Sequence, residues 1–141
     1  DSGGVSITLP AGYKTIDHSA YGASTVAAFS SEDGFVAIYV IRESRADLGV
    51  DDSFTAKDYL QKIYDTAKGD EISAIEEKNG HSYFTYTQEI TSNGEPFMLK
   101  YLNISYLNGD DCYLVVFNCY EQEYDYFREG FFHWAESVKF E

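Results

Sequence analysis

Basic residues are scarce in this sequence. Ten Lys and Arg stand against 24 Asp and Glu, a formal net charge of −14 over 141 residues. Phosphate binding needs clustered Lys and Arg, so this balance excludes nucleic acid as a partner. It also disfavours docking on an anionic membrane surface. A basic protein partner, metal ions or plain solubility remain compatible with it. Long apolar runs are missing too, and none approaches the ~20 residues that a membrane-spanning helix requires. Proline occurs only twice, at Pro10 and Pro96. No internal repeat, low-complexity tract or interdomain linker is visible, and a chain of this length is expected to form one domain, 1–141.

Cysteine is limited to Cys112 and Cys119. Both fall on one expected strand, an odd number of positions apart, so they point to opposite faces. At ~3.4 Å per residue they lie roughly 24 Å apart, whereas a disulfide needs Cα atoms within about 7 Å. No intrachain disulfide is expected, but two reduced, mostly buried thiols. Nothing nearby marks either as an activated nucleophile.

Catalytic and cofactor fingerprints are absent as well. There is no Gly-x-Ser-x-Gly elbow, phosphate loop or dinucleotide motif, and no cofactor is implied. None of His18, His81 and His133 has a partner at zinc-ligand spacing. His133 and Glu136 share a helix face at i and i+3, the usual arrangement of a surface ion pair. Asp47, Asp51 and Asp52 gather in one loop, and Asp110 and Asp111 in another. The alternating Asp pattern with a central Gly that builds a calcium loop is missing, which leaves weak calcium binding at most.

Aromatic residues are abundant: 13 Tyr and 10 Phe carry most of a 17% aromatic share, within 44% hydrophobic content. Tyrosine has an apolar body and a polar tip, which suits half-buried sheet positions and binding surfaces alike. Four turn signals, Asp33-Gly34, Asn79-Gly80, Asn93-Gly94 and Asn108-Gly109, separate apolar or alternating runs and mark hairpins. The reading is a first strand at Val5 to Leu9 and a hairpin of Thr25 to Ser30 with Phe35 to Arg42. Helix one follows, from about Ala56 to Lys68. A four-strand meander then runs through Glu71 to Lys78, His81 to Ile90, Phe97 to Leu107 and Cys112 to Tyr120. A second helix, about Glu123 to Ser137, leads into the closing run Val138-Lys139-Phe140. Thr55 to Asp58 fits a capping box at the start of helix one. Gly69 is expected to close that helix behind Lys68. Tyr59, Leu60, Ile63, Tyr64 and Ala67 form its apolar face. In helix two, Tyr124, Phe127, Phe131 and Trp134 form a stripe flanked by Phe132, Ala135 and Val138.

If each Asn-Gly closes a two-residue loop, Tyr86 pairs with Tyr101 and Tyr101 with Val116, and Ile90, Phe97 and Tyr120 align. Phe84, Leu99 and Leu114 share that face. The other face sets Leu102 beside Val115, Ile104 beside Tyr113 and Met98 beside Cys119. Apolar residues on both faces argue for two covered faces. The expected class is α+β, with an antiparallel sheet sandwiched between helices in three layers. One polar patch interrupts this pattern: Thr85, Thr87, Glu89 and Lys100 share the second face toward one end, with Glu76 nearby. These four are the candidate binding residues.

The order of elements resembles the PsbP-like family. It does so through Ile7-Thr8-Leu9-Pro10-Ala11-Gly12-Tyr13, Phe35 to Glu43, Tyr59-Leu60, Asn79-Gly80-His81-Ser82-Tyr83-Phe84 and Phe131 to Phe140. That superfamily includes the PsbP protein of the oxygen-evolving complex, a Mog-type Ran-binding nuclear import factor and many exported bacterial lipoproteins. The resemblance implies a sheet between helices and an exported, extracellular or cell-envelope location. Asp1-Ser2-Gly3-Gly4 has the composition of a linker end, and a removed N-terminal export segment or anchor is compatible with it. Because fold does not fix site, no residue role carries over. The function expected is a non-enzymatic, exported or surface-tethered binding or accessory domain with a protein partner that presents a basic patch. One alternative is small-molecule or peptide binding in a pocket between sheet and helix, which needs a cavity above ~300 Å³. An uncharacterised hydrolase is the second alternative, and a structural or solubilising role stays open.

Overall fold

The computed structural model describes residues 4–140; the start of the linker-like run, Asp1 to Gly3, lies outside them. Strand β1 (Val5–Ser6) is followed by β2 (Lys14–Thr15) and a 3₁₀ turn, His18–Tyr21. Next come β3 (Thr25–Ser30), β4 (Ala37–Ser44), the one-turn helix α1 (Arg45–Leu48) and α2 (Ala56–Thr66). Strands β5 (Glu76–Lys78), β6 (His81–Ser92), β7 (Glu95–Asn108) and β8 (Asp111–Tyr120) form the meander. The 3₁₀ turn Glu121–Glu123 leads into α3 (Tyr124–Glu136), and β9 (Lys139–Phe140) ends the described chain. Seven strands make one antiparallel sheet in the order β2-β3-β4-β8-β7-β6-β5. The outer pair β1-β9 forms a separate small ribbon.

Two cores flank the sheet, as the doubly apolar strands require. On one face, Leu102, Ile104, Tyr106, Tyr113, Val115, Phe117 and Cys119 pack with Phe131, Phe132 and Ala135 of α3. On the other, Phe84, Tyr101, Cys112, Leu114 and Val116 pack with Tyr59 and Leu60 of α2. Successive strand residues alternate sides, so Cys112 and Cys119 lie in different cores as free, buried thiols. Strand β7 anchors both helices through consecutive residues. Ser105 Oγ donates to the Ala56 carbonyl at the start of α2 (2.7 Å), and the Tyr106 hydroxyl donates to the Ala135 carbonyl near the end of α3 (2.7 Å).

The turns at Asn79-Gly80 and Asn93-Gly94 have positive φ at both residues (55° and 81°; 53° and 79°) and close two-residue loops, as type I′ geometry demands. Tyr86 accordingly faces Tyr101 and Ile90 faces Phe97. The third turn differs. Asn108 pairs with Asp111, so the loop is Gly109-Asp110, with only the glycine at positive φ (61°). Tyr101 therefore faces Asn118 rather than Val116; Leu102 faces Phe117, Ile104 faces Val115, Lys100 faces Cys119, and Leu99 rather than Phe97 faces Tyr120. The shift is two residues, and an even shift leaves every side chain on its expected face. Contacts distant in sequence hold this turn. Arg45 donates its backbone N–H to the Asp110 carbonyl (2.8 Å) and its Nε to the Gly109 carbonyl (3.3 Å). Its Nη1 reaches the carbonyls of Asp51 (2.7 Å) and Phe54 (2.9 Å), tying the turn to the loop that enters α2.

Three local expectations are corrected. Helix α2 has its Thr55–Asp58 capping box but ends at Thr66, capped by Ala67 in an extended conformation. Gly69 does not close the helix; it is where the chain crosses β6. The strand expected over Glu71 to Lys78 forms only at Glu76–Lys78, because residues before it attach to the outer edge of β6 by separate hydrogen bonds. Strand β1 stops at Ser6, since β9 offers it only two partners.

A methyl group on Gly69 would lie 2.7 Å from the Thr87 carbonyl oxygen and 2.8 Å from the Tyr86 ring. Gly69→Ala is expected to cost about 1–3 kcal/mol, read as a lower midpoint in chemical denaturation. His81 packs 4.6 Å from the Tyr106 ring, and burial holds its imidazole below the usual 6.5 despite the opposing pull of Glu136. The neutral form is favoured in the native state, so this contribution is complete above pH 6.5 and is lost as pH falls below it. The His81 contribution should decline from pH 7 to pH 5, so in a thermal-melt series the wild type should lose more stability over that range than His81→Gln does.

Candidate functional site

The sheet outruns its helical cover. Helix α2 has 11 residues, about 16 Å of helix, whereas β7 has 14, about 47 Å of strand. Cover is best where Tyr64 meets Phe84 edge-on at 5.1 Å. In the next row, Tyr86, Tyr101 and Asn118, the Tyr86 and Tyr101 rings stack 4.8 Å apart and the Gly69 backbone lies against Tyr86. Burial raises both phenol pKa values, that of Tyr86 to about 12, so the row is neutral at physiological pH.

Beyond that row the β6–β7 hairpin projects past the last paired residue of β8, Tyr120. Leu99 and Tyr120 pair across strands, Phe97 lies 5.5 Å from the Tyr120 ring, and Phe35 lies 5.6 Å from it on the other side. Ile90 pairs with Phe97. Phe35 is 49% exposed, and Ile90, Phe97, Leu99 and Tyr120 are part-exposed. The result is an apolar strip on an open sheet end.

The four predicted residues lie on the reverse of this hairpin, and they differ in access. Thr85 and Thr87 are buried, with Thr87 fully so. The chain from Asp70 to Ser73 occupies the edge beside them. The Asp70 and Thr87 backbones exchange two hydrogen bonds (2.8 Å each), and Thr87 Oγ1 donates to the Asp70 carbonyl (3.2 Å). The Thr85 N–H donates to Ser73 Oγ (2.9 Å), and the Ser73 N–H donates to the Thr85 carbonyl (2.8 Å). Lys100 is part-buried, its Nζ 4.5 Å from the centre of the Tyr124 ring. Glu89 is exposed on the projecting hairpin. Of the four, only Glu89 and part of Lys100 meet solvent. The cause is a loop that satisfies the polar strand edge internally. Glu76 accepts a hydrogen bond from the Tyr83 hydroxyl (2.9 Å) and stands apart.

Chemistry-bearing groups are largely engaged. Burial, reinforced by Glu123 and opposed by Lys100, pushes the Cys119 thiol up to about 12; burial also raises that of Cys112. His133, Glu136 and Ser137 line a cavity of about 400 Å³, the nearest approach to a hydrolase constellation. However, Ser137 Oγ donates to the Trp134 carbonyl (2.6 Å) and accepts the Thr8 N–H (2.8 Å), so it clamps the end of α3 to the N-terminal segment. Among the described residues, no three His, Cys, Asp or Glu side chains converge as metal ligands. The Asp51 carboxylate is taken up by the Ser53 amide and hydroxyl.

Aromatic side chains fill much of the interface between sheet and helices, with Tyr64 against Phe84, Tyr83 against Phe132 and Phe117 against Phe131. Two cavities of ligand size meet at Tyr13 and Phe127: one of about 360 Å³ between the Ala11–Tyr13 loop, the β3–β4 turn and Phe127, and one of about 530 Å³ between Pro10, Tyr13 and the outer side of α3. Sequence reasoning missed this groove and the apolar strip. The only local signals were the aromatic residue after Pro10-Ala11-Gly12 and apolar positions at a hairpin tip.

The architecture of a seven-stranded antiparallel sheet between helices is the PsbP-like fold. Its solved counterparts include the solution structure of cyanobacterial PsbP (CyanoP) from Synechocystis sp. PCC 6803, with a TM-score of 0.55 at 17% identity over 98% of this chain and 87% of that one. A crystal structure from Bacteroides thetaiotaomicron gives a TM-score of 0.62 at 9% identity, over 98% of this chain but only 45% of that longer one. LpqN of Mycobacterium tuberculosis, described as involved in cell envelope biogenesis, gives 0.50 at 9% identity over 96% and 82%. No protein-family model and no curated protein matches the sequence.

Cys112 and Cys119 should resist a maleimide reagent in the native protein, because both are fully buried and their thiolates disfavoured. Mass spectrometry is expected to show no adduct under native conditions and two after denaturation.

Proposed function

We propose that this chain is a non-enzymatic, exported accessory domain of the cell envelope or exterior that docks on a protein partner through the open end of its sheet. The observation that carries this reading is the part-exposed strip Phe35, Ile90, Phe97, Leu99 and Tyr120. Contiguous apolar surface rimmed by polar residues marks an interaction site, and here Glu89 and Glu95 stand exposed on the same hairpin. Paired strands held in a fixed register present the strip with little entropy left to lose on binding. The net charge of −14 favours a basic patch on the partner. The envelope setting is supported by the PsbP-like fold, with LpqN among its counterparts, and by the resemblance to exported bacterial lipoproteins. No helix among the described residues is long and apolar enough to cross a membrane.

A photo-crosslinking side chain placed at Phe97 or Glu89 in cells of the source organism should give discrete protein adducts. The same side chain at Gln61, on the outer face of α2, should not. Adducts of equal yield from all three positions, or none from the hairpin, would count against this docking surface.

A further inference from the structure

The groove beside α3 has two chemically distinct halves that meet at Tyr13 and Phe127. One half, about 530 Å³, is apolar and aromatic, with Pro10, Tyr126 and Trp134 around the shared pair. Tyr13 meets Trp134 edge-on at 5.4 Å, and Tyr126 meets Phe127 edge-on at 5.0 Å. Tyr126 is 83% exposed, the most open large hydrophobic side chain among the described residues. Gly130 lets the Trp134 ring lie flat against α3: a methyl group there would sit 3.1 Å from Trp134 Cζ2. The other half, about 360 Å³, is anionic and is lined by Glu32 and Asp33 over the bare backbone of Gly12. Asp33 is held in place, its Oδ1 accepting from Ser31 Oγ (2.6 Å) and the Phe35 N–H (3.1 Å). These two hydrogen bonds keep its carboxyl below the ordinary range, so it is ionised. Glu129 adds a further carboxylate on the aromatic side. Arg128, the nearest cation in sequence on α3, is engaged over the Phe132 ring at 5.0 Å.

We infer that this groove binds an extended peptide segment carrying an Arg or Lys next to an apolar residue. The cation would enter the Glu32–Asp33 half and the apolar side chain the Tyr13–Trp134 half. Charge complementarity selects the occupant. Carboxylates beside aromatic faces attract a guanidinium or ammonium through charge-assisted hydrogen bonds and the ring quadrupoles, and they repel acidic segments. The groove is open along its length and so admits a chain passing through it. This surface is separate from the β6–β7 strip and does not depend on it.

Trp134 is the only tryptophan in the chain and lines the groove, so it reports occupancy directly. The full chain can be panned against a displayed random peptide library and the enriched peptides synthesised. They are expected to pair Arg or Lys with an apolar neighbour, to shift Trp134 fluorescence and to weaken with added salt. The double variant Glu32→Gln, Asp33→Asn keeps the acceptor that Asp33 offers to Ser31 and Phe35. It should bind about tenfold more weakly, while Glu77→Gln on β5 should bind as the wild type. Three outcomes would overturn the inference: no enrichment, enriched peptides without a basic residue, or binding that leaves Trp134 or the double variant unaffected. Crosslinking through Phe97 would be unchanged by any of them.

Discussion

Strand β7 holds this structure together through two adjacent residues on opposite sides of the sheet. Ser105 fixes the start of α2 on one face, and Tyr106 fixes the end of α3 on the other. A strand can serve two cores at once only when both its side-chain sets are apolar or internally satisfied. β7 and β8 meet this condition, with Leu102, Ile104, Val115 and Phe117 for one core and Tyr101, Leu114 and Val116 for the other. The polar residues among them also pair within the protein: Asn103 Nδ2 reaches the Phe84 carbonyl (3.4 Å). The three-layer arrangement follows, and with it the burial of both cysteines.

The same constraint produces the surfaces. Two helices of ordinary length cannot cover a hairpin as long as β6–β7, so the sheet ends in an apolar strip. The N-terminal segment is held against the end of α3 through Ser137, and the loop that follows, Pro10 to Tyr13, leaves a groove beside the helix. One surface is flat and strand-based and suits a protein face. The other is narrow, aromatic and acidic and suits a chain. Ser137, beside His133 and Glu136, spends its hydrogen bonds on structure. Both surfaces share the acidic bias of the whole chain, which would direct each toward cationic partners.

The candidate patch shows where local pattern stops being sufficient. Thr85, Thr87, Glu89 and Lys100 share a face because side chains alternate along paired strands, and that part follows from spacing. Whether they meet solvent depends on Asp70 to Ser73, a segment without strong periodicity whose docking on β6 is a matter of backbone hydrogen bonding. Gly69 belongs to the same lesson. Next to a basic residue it reads as a helix terminator, but it is needed because the chain passes too close to Thr87 and Tyr86 for any side chain. The groove was hidden for a related reason: Tyr13, Glu32 and Trp134 are far apart in sequence, and no short-range signal links them.

The sequence by itself determined the three long strands of the meander, the helix that begins at the Thr55 capping box, the two apolar faces and the assignment of Cys112 and Cys119 to opposite sides. These are matters of local period and turn chemistry, which act over a few residues. Only the tertiary structure decided the register at Gly109-Asp110, because Arg45 and the loop it holds are distant in the chain. It alone decided which polar strand residues stay wet and where the sheet runs out of helix. Those outcomes depend on which remote segments arrive to share a hydrogen bond or to cover a side chain, and local pattern carries no record of them.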